Sequence, residues 1–148
     1  MMIRRKAFAY ITHQNRLLVF EHADYPDAGI QVPAGSIEPD ETPEQGVMRE
    51  AFEETGLEGL VMVEFLGMIE HDLAIYGREE IHHRYFFHLT CDHKPPETWS
   101  HMETNRSDGN SEPLEFCFYW AALPDDVPPL VADHDILVGE LCRHLGLK

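Results

Sequence analysis

The chain has 148 residues, a common size for one domain, and at this length roughly 70% of the unfolded surface can be buried. A hydrophobic fraction of 43% and a charged fraction of 26% fit an ordinary globular protein and exclude a fibrous or broadly disordered one. With 27 acidic residues against 11 Lys and Arg the formal net charge is -16, a surface that repels polyanions and argues against a nucleic-acid partner. Cys91, Cys117 and Cys142 are odd in number, widely spaced and without a C-x-x-C pair, which argues against a disulfide framework or a thiolate zinc site. The short apolar stretch after Arg4, Arg5 and Lys6 is too brief for a signal peptide, and no run reaches the 18 apolar residues of a membrane span. The expectation is one cytoplasmic domain over residues 1–148, with no membrane partner.

In chain order, residues 4–12 and 16–22 are β-favouring runs separated by His13-Gln14-Asn15, which reads as a hairpin. Residues 24–29 read as a loop, and Ile30-Gln31-Val32 as a short strand entering Pro33-Ala34-Gly35. Thr42-Pro43-Glu44-Gln45 combines an N-cap Thr, Pro at the first helical position and Gln three residues after the Thr. Gly56 supplies a left-handed stop, so the spacing predicts a helix over 43–55. Residues 60–75 and 81–90 read as long strands. The polar stretch from Cys91 to Pro113 reads as a long loop, mobile or part of a binding site. Residues 115–122 return to strand character. A last helix is expected over about 133–145, with Ile136, Leu137, Leu141 and Leu145 at helical spacing. Strands with two embedded helices indicate an α/β sandwich with a mixed sheet.

On the predicted helix, Val47, Met48, Ala51, Phe52 and Thr55 form one arc that should pack on the sheet. Glu50, Glu53 and Glu54 fall on another, with Arg49 at its edge. Like charges three and four residues apart cost a few tenths of a kcal/mol per pair. Such a face is either solvated acid or a set of hard oxygen ligands for Mg²⁺ or Mn²⁺, and helical spacing alone leaves both open.

The longer segment GSIEPDETPEQGVMREAFEETGL, residues 35–57, resembles the Nudix box, G-x5-E-x7-R-E-U-x-E-E-x-G-U with U apolar. Gly35, Glu41, Arg49, Glu50, Glu53, Glu54 and Gly56 stand at its seven fixed positions, and Ala51 and Leu57 at its apolar ones. A chance match is on the order of one in ten million per window at typical residue frequencies. The resemblance implies a Nudix-type α/β/α sandwich and a divalent-metal-dependent pyrophosphohydrolase, with Mg²⁺ or Mn²⁺ as cofactor. The implied substrate is a nucleoside diphosphate linked to another moiety. It further implies Glu50 and Glu54 as principal metal ligands, with Glu53 a further ligand or the group that orients or deprotonates water. The Gly35 carbonyl would complete the coordination, Arg49 would hold Glu53, and Glu41 would be supportive. Family members often place a further base on a late loop, for which Glu112 and Glu115 are the candidates. The alternative from another class is a Nudix-like domain that binds a nucleotide as a sensor without turnover. A homodimer is an open expectation.

The resemblance leaves the substrate unnamed. A Trp common in the family two positions before Val32 is absent, the stretch there being Gly29-Ile30-Gln31. The subfamily markers for ADP-ribose or diadenosine polyphosphates, a Pro or Tyr past the box, find no good counterpart in His71–Ile75, with Tyr76 just beyond. Arg84 and Tyr85 could read phosphate and base, and Trp99 could stack on a nucleobase, although packing is the commoner use of each. A zinc site at His82 and His83 is disfavoured, because adjacent strand residues point to opposite faces.

Overall fold

A computed structural model describes residues 2–103 and 112–147. β1 (Met2–His13) and β2 (Arg16–His22) form the first hairpin, and Gln14 and Asn15 both adopt positive φ, at 53° and 57°. That is the backbone a two-residue turn needs to match the strand twist, and Asn tolerates it better than most residues. β3 (Ala34–Ser36) lies antiparallel to the middle of β1. The strand expected at 30–32 is not formed. Gln31 makes one isolated bridge to Phe20, Pro33 has no N–H to extend it, and pairing resumes only at Ala34.

α1 (Pro43–Thr55) has the expected limits. The Thr42 hydroxyl accepts from the Gln45 backbone at 3.1 Å while the Gln45 side chain accepts from the Thr42 backbone at 2.9 Å. Gly56 closes the helix at φ 73°. β4 (Leu60–Asp72) and β5 (Glu80–Cys91) follow, then β6 (Thr98–Glu103), β7 (Leu114–Ala122) and α2 (Val138–His144). The strand order is β4-β5-β1-β2-β7-β6, with β3 on the free part of β1. β1 and β5 run parallel and the other neighbours antiparallel, so the sheet is mixed.

Alternation along the strands divides the core in two. Ala7, Ala9, Ile11, Phe87, Leu89, Phe116 and Phe118 pack with Val47 and Ala51 of α1. Phe8, Tyr10, Val19 and Phe86 pack with Leu141 and Cys142 of α2 on the opposite face. The fold is a mixed sheet between helices, as an α/β/α sandwich requires.

Two expectations are corrected. The stretch from Cys91 to Pro113 is not one loop, because β6 pairs with β7 along Thr98–Glu103; residues 104–111 lie outside the described residues. The last helix is shorter than 133–145. Ala132 and Asp133 have positive φ, and the Tyr10 hydroxyl takes over the local bonding. It donates to the His134 carbonyl at 2.5 Å and accepts from the Leu137 N–H at 3.2 Å. A helix started at Asp133 would need that same Leu137 N–H for its own ladder.

Candidate active site

The site is built where the β3 exit, α1 and the end of β6 meet. Arg49 is its organiser. Its guanidinium grips Glu41 through two bonds of 2.7 and 2.8 Å, reaches Glu50 at 2.9 Å and Glu53 at 3.3 Å, and donates to the Ser36 carbonyl at 2.9 Å. One planar fork thus ties the loop before α1, the strand exit and two helix carboxylates together. The hydrogen bonds from Arg49 hold the Glu41 carboxyl down to about 2. Glu41 also accepts from the Glu38 backbone at 2.8 Å, which fixes the loop.

β6 docks on the end of α1 by alternate residues. The Trp99 indole donates to the Thr55 carbonyl at 2.8 Å, and His101 Nε2 donates to the Glu53 carbonyl at 2.9 Å. These satisfy carbonyls that the helix end leaves open. Two residues further along the same face stands Glu103, buried and within reach of Glu50 and Glu54. One carboxylate oxygen from each of Glu50, Glu54 and Glu103 lies within 4.8 Å of the others. Glu54 also accepts from the Ala34 N–H of β3 at 2.9 Å.

Burial pushes the Glu50 carboxyl up to about 7 against the pull of Arg49, with Glu53 and Glu103 adding repulsion. Glu54 is likewise raised, first by burial and then by Glu50 and Glu103. Two half-buried acids pushed toward protonation and the buried Glu103, with one carboxylate oxygen of each within 4.8 Å of the others, form a donor set suited to a hard divalent cation. Gly35 is shaped by this cluster: a Cβ there would fall 2.1 Å from the Glu50 carboxylate. The backbone at 35 can approach only because it carries no side chain.

The family model described as NUDIX domain matches residues 2–136. The chain belongs to the Nudix family. As a Nudix hydrolase it cleaves phosphoanhydrides. Solved structures repeat the fold at low identity. A MutT NUDIX hydrolase from Burkholderia pseudomallei is 22% identical with a TM-score of 0.62, over 95% of this chain and 99% of that one. A UDP-X diphosphatase is 15% identical with a TM-score of 0.67, over 99% of this chain and 64% of that one. A bifunctional NMN adenylyltransferase/ADP ribose pyrophosphatase from Francisella tularensis, complexed with AMP and a manganese ion, is 18% identical with a TM-score of 0.56. That match spans 95% of this chain and 41% of the other. No significant sequence match to a curated protein was found.

Within this Nudix fold, Gly35, Glu41, Arg49, Glu50, Glu53 and Glu54 are assembled around one site. Glu53 stands beside the trio rather than in it, its carboxylate on Arg49. Glu115 is not brought there. It pairs with Met102, one step out of phase with the Glu103–Leu114 pair, and its neighbour Phe116 faces the α1-side core. Glu115 therefore points to the opposite face of the sheet. Glu112 is exposed just before β7. Trp99 is committed to packing, stacked on Phe118 at 5.0 Å, and is not a free platform for a base. His82 and His83 diverge, to Glu80 and Glu70 respectively.

Glu103 is the residue sequence reasoning missed. It lies 49 positions past Glu54 in a stretch read as loop. The available signal was the alternation Trp99-x-His101-x-Glu103, a period of two whose inward members are hydrogen-bonding rather than apolar.

Proposed function

We propose that the protein is a Mg²⁺- or Mn²⁺-dependent pyrophosphohydrolase of a nucleoside diphosphate linked to another moiety. The observation that carries this reading is the gathering of Glu50, Glu54 and Glu103 within 4.8 Å at the carboxylate oxygens. Those three would hold the cation, with the Gly35 carbonyl beside them. When bound, the cation would screen the phosphates and lower the pKa of a bound water. The chain's own residues do the rest. Arg49 fixes Glu53 at 3.3 Å, and Glu53 takes the proton of the attacking water. The water oxygen forms the new bond to phosphorus, the bridging anhydride bond breaks, and the leaving phosphate carries away the electron pair. Arg49 and Glu41 act as positioning residues. That a UDP-X diphosphatase and an ADP ribose pyrophosphatase share this fold supports a nucleotide-linked diphosphate as the substrate class.

Chelation is expected to abolish turnover, and Mg²⁺ or Mn²⁺ to restore it. Glu54→Gln keeps the shape and removes a charge, so kcat should fall at least roughly a hundredfold with circular dichroism unchanged. Full turnover in that variant, or in excess chelator, removes the reading.

A further inference from the structure

The loop between β3 and α1, residues 37–42, carries Glu41 and is gripped from two sides. From α1, Arg49 takes the Glu41 carboxylate at 2.7 and 2.8 Å. From β1, Arg5 takes the main chain of the loop. Its Nη2 donates to the Glu38 carbonyl at 2.9 Å and to the Glu41 carbonyl at 3.2 Å. The Arg5 carbonyl also accepts from the Ile37 N–H at 3.0 Å. Between the two gripped carbonyls the loop closes on itself. The Glu41 N–H donates to the Glu38 carbonyl at 3.0 Å, and the Glu38 N–H to the Glu41 carboxylate at 2.8 Å.

Arg5 is not an ordinary surface cation. In a chain with 27 acidic residues against 11 Lys and Arg, its hydrogen bonds among the described residues go to main-chain carbonyls, whereas its neighbour Arg4 pairs with Glu80 at 2.9 Å. The Glu41 carbonyl lies one residue before the Thr42 N-cap, outside the helix ladder, so no helical N–H replaces that bond. A bond from a charged donor is also roughly twice as strong as a neutral one. On its other side the loop has no slack. A Cβ on Gly46 would stand 3.0 Å from Ile37 and 3.4 Å from the Glu41 carboxylate, so α1 packs directly on the loop. Any shift of the loop therefore moves Glu41, and with it Arg49, whose guanidinium also holds Glu50 at 2.9 Å and Glu53 at 3.3 Å. Glu54 is tied elsewhere, to the Ala34 N–H at 2.9 Å.

Resting on the hydrolase reading above, we propose that Arg5, outside the box motif, is a positioning residue for the reaction. It fixes the 37–42 loop, and through Glu41 and Arg49 it sets the carboxylate of Glu53 that takes the proton of water. Arg5→Met removes the guanidinium and keeps the bond from Ile37, which is main chain to main chain. The Arg5 side chain lines an open cleft with Ser36, Ile37, Glu38 and Pro39, so its loss leaves no cavity in the core and the variant folds.

The test uses whichever of UDP-glucose, ADP-ribose and a nucleoside triphosphate wild type cleaves fastest with Mg²⁺. Small displacements of reacting groups are costly, so Arg5→Met should lower kcat about tenfold or more and change KM about twofold at most. Both bonds leave a single nitrogen, so the ammonium of Arg5→Lys should recover part of the loss. Arg4→Met, with the same change of charge on the same strand, should keep wild-type kcat. Because Arg5 acts through Glu41, the double variant Arg5→Met with Glu41→Gln should lose no more than the worse single one. A second arm needs neither metal nor turnover. In chelator, amide hydrogens of residues 37–42 should exchange at least about tenfold faster in Arg5→Met, with those of residues 47–55 unchanged. Full kcat in Arg5→Met, a loss carried by KM, a loss undiminished in Arg5→Lys or matched in Arg4→Met, or additive losses in the double variant overturns the proposal. Wild-type exchange across residues 37–42 overturns it too. If wild type cleaves none of the three compounds, the hydrolase reading fails, while the exchange arm still decides whether Arg5 fixes the loop.

Discussion

At the scale of single residues, the fold holds a histidine that cannot accept a second proton at ordinary pH. His134 is buried, and its Nδ1 accepts the Val32 N–H at 3.2 Å, so the neutral ring carries its proton on Nε2. Phe8 packs edge-on at 4.9 Å. Burial, with the nearby Arg84 charge, pushes its pKa from 6.5 down to about 4. The folded value lies below the unfolded one, so the unfolded chain takes up the proton first. His134 therefore costs nothing above pH 6.5, destabilises progressively as pH falls from 6.5 to about 4, and adds no further loss below that. A shift of this size corresponds to about 3 kcal/mol. His134→Gln keeps an acceptor for Val32, so denaturant midpoints measured between pH 7 and 4 should fall less steeply than in wild type. An unchanged slope would place the acid sensitivity in other groups. Nothing in the sequence marked His134, because its character comes from a backbone N–H 102 positions earlier.

At the scale of elements, what was readable was what is local. α1 was legible to its limits because cap, proline and terminal glycine lie within fifteen residues and agree with one another, whereas of the arc expected to pack on the sheet Phe52 stays half exposed. β6 was not, since its inward face consists of Trp99, His101 and Glu103, whose partners are helix carbonyls and carboxylates of α1. The start of α2 was missed for a related reason: a tyrosine hydroxyl over a hundred residues away occupies the Leu137 N–H. The candidate site divides in the same manner. Its helix half was read from a motif, whereas Glu103 becomes visible only when β6 is laid on α1. This makes β6 docking testable. His101→Ala removes the bond to the Glu53 carbonyl and leaves the carboxylates in place, so Glu103 should be held less firmly. Expected are a kcat reduced about tenfold or more, weakened apparent Mg²⁺ affinity, and a KM changed little at saturating cation. Wild-type cation affinity in His101→Ala would show that strand pairing with β7 alone fixes Glu103.

At the scale of the whole molecule, the net charge of -16 and the carboxylate trio make separable contributions to stability. Dispersed surface carboxylates repel weakly over distance, and any salt at about 0.15 M screens them within about 8 Å. The trio is different, since Glu50, Glu54 and Glu103 are half-buried or buried and are screened much less by mobile ions. A monovalent salt should therefore raise the unfolding temperature gradually and saturably, whereas a divalent cation that binds only the folded state adds stability by mass action. At a concentration of about 100 times Kd that addition amounts to about 2.7 kcal/mol. Titrating Mg²⁺ against NaCl at matched ionic strength should expose the extra increment. Replacing all three acids with Gln should remove the increment while raising the stability of the metal-free protein, because their mutual repulsion and desolvation disappear. The surface response to NaCl should persist in that variant. A wild type that responds to Mg²⁺ no more than to NaCl would mean that the cluster binds no cation without substrate. A Gln variant less stable than the metal-free wild type would mean that the hydrogen bonds from Arg49 and the Ala34 N–H outweigh the repulsion they oppose.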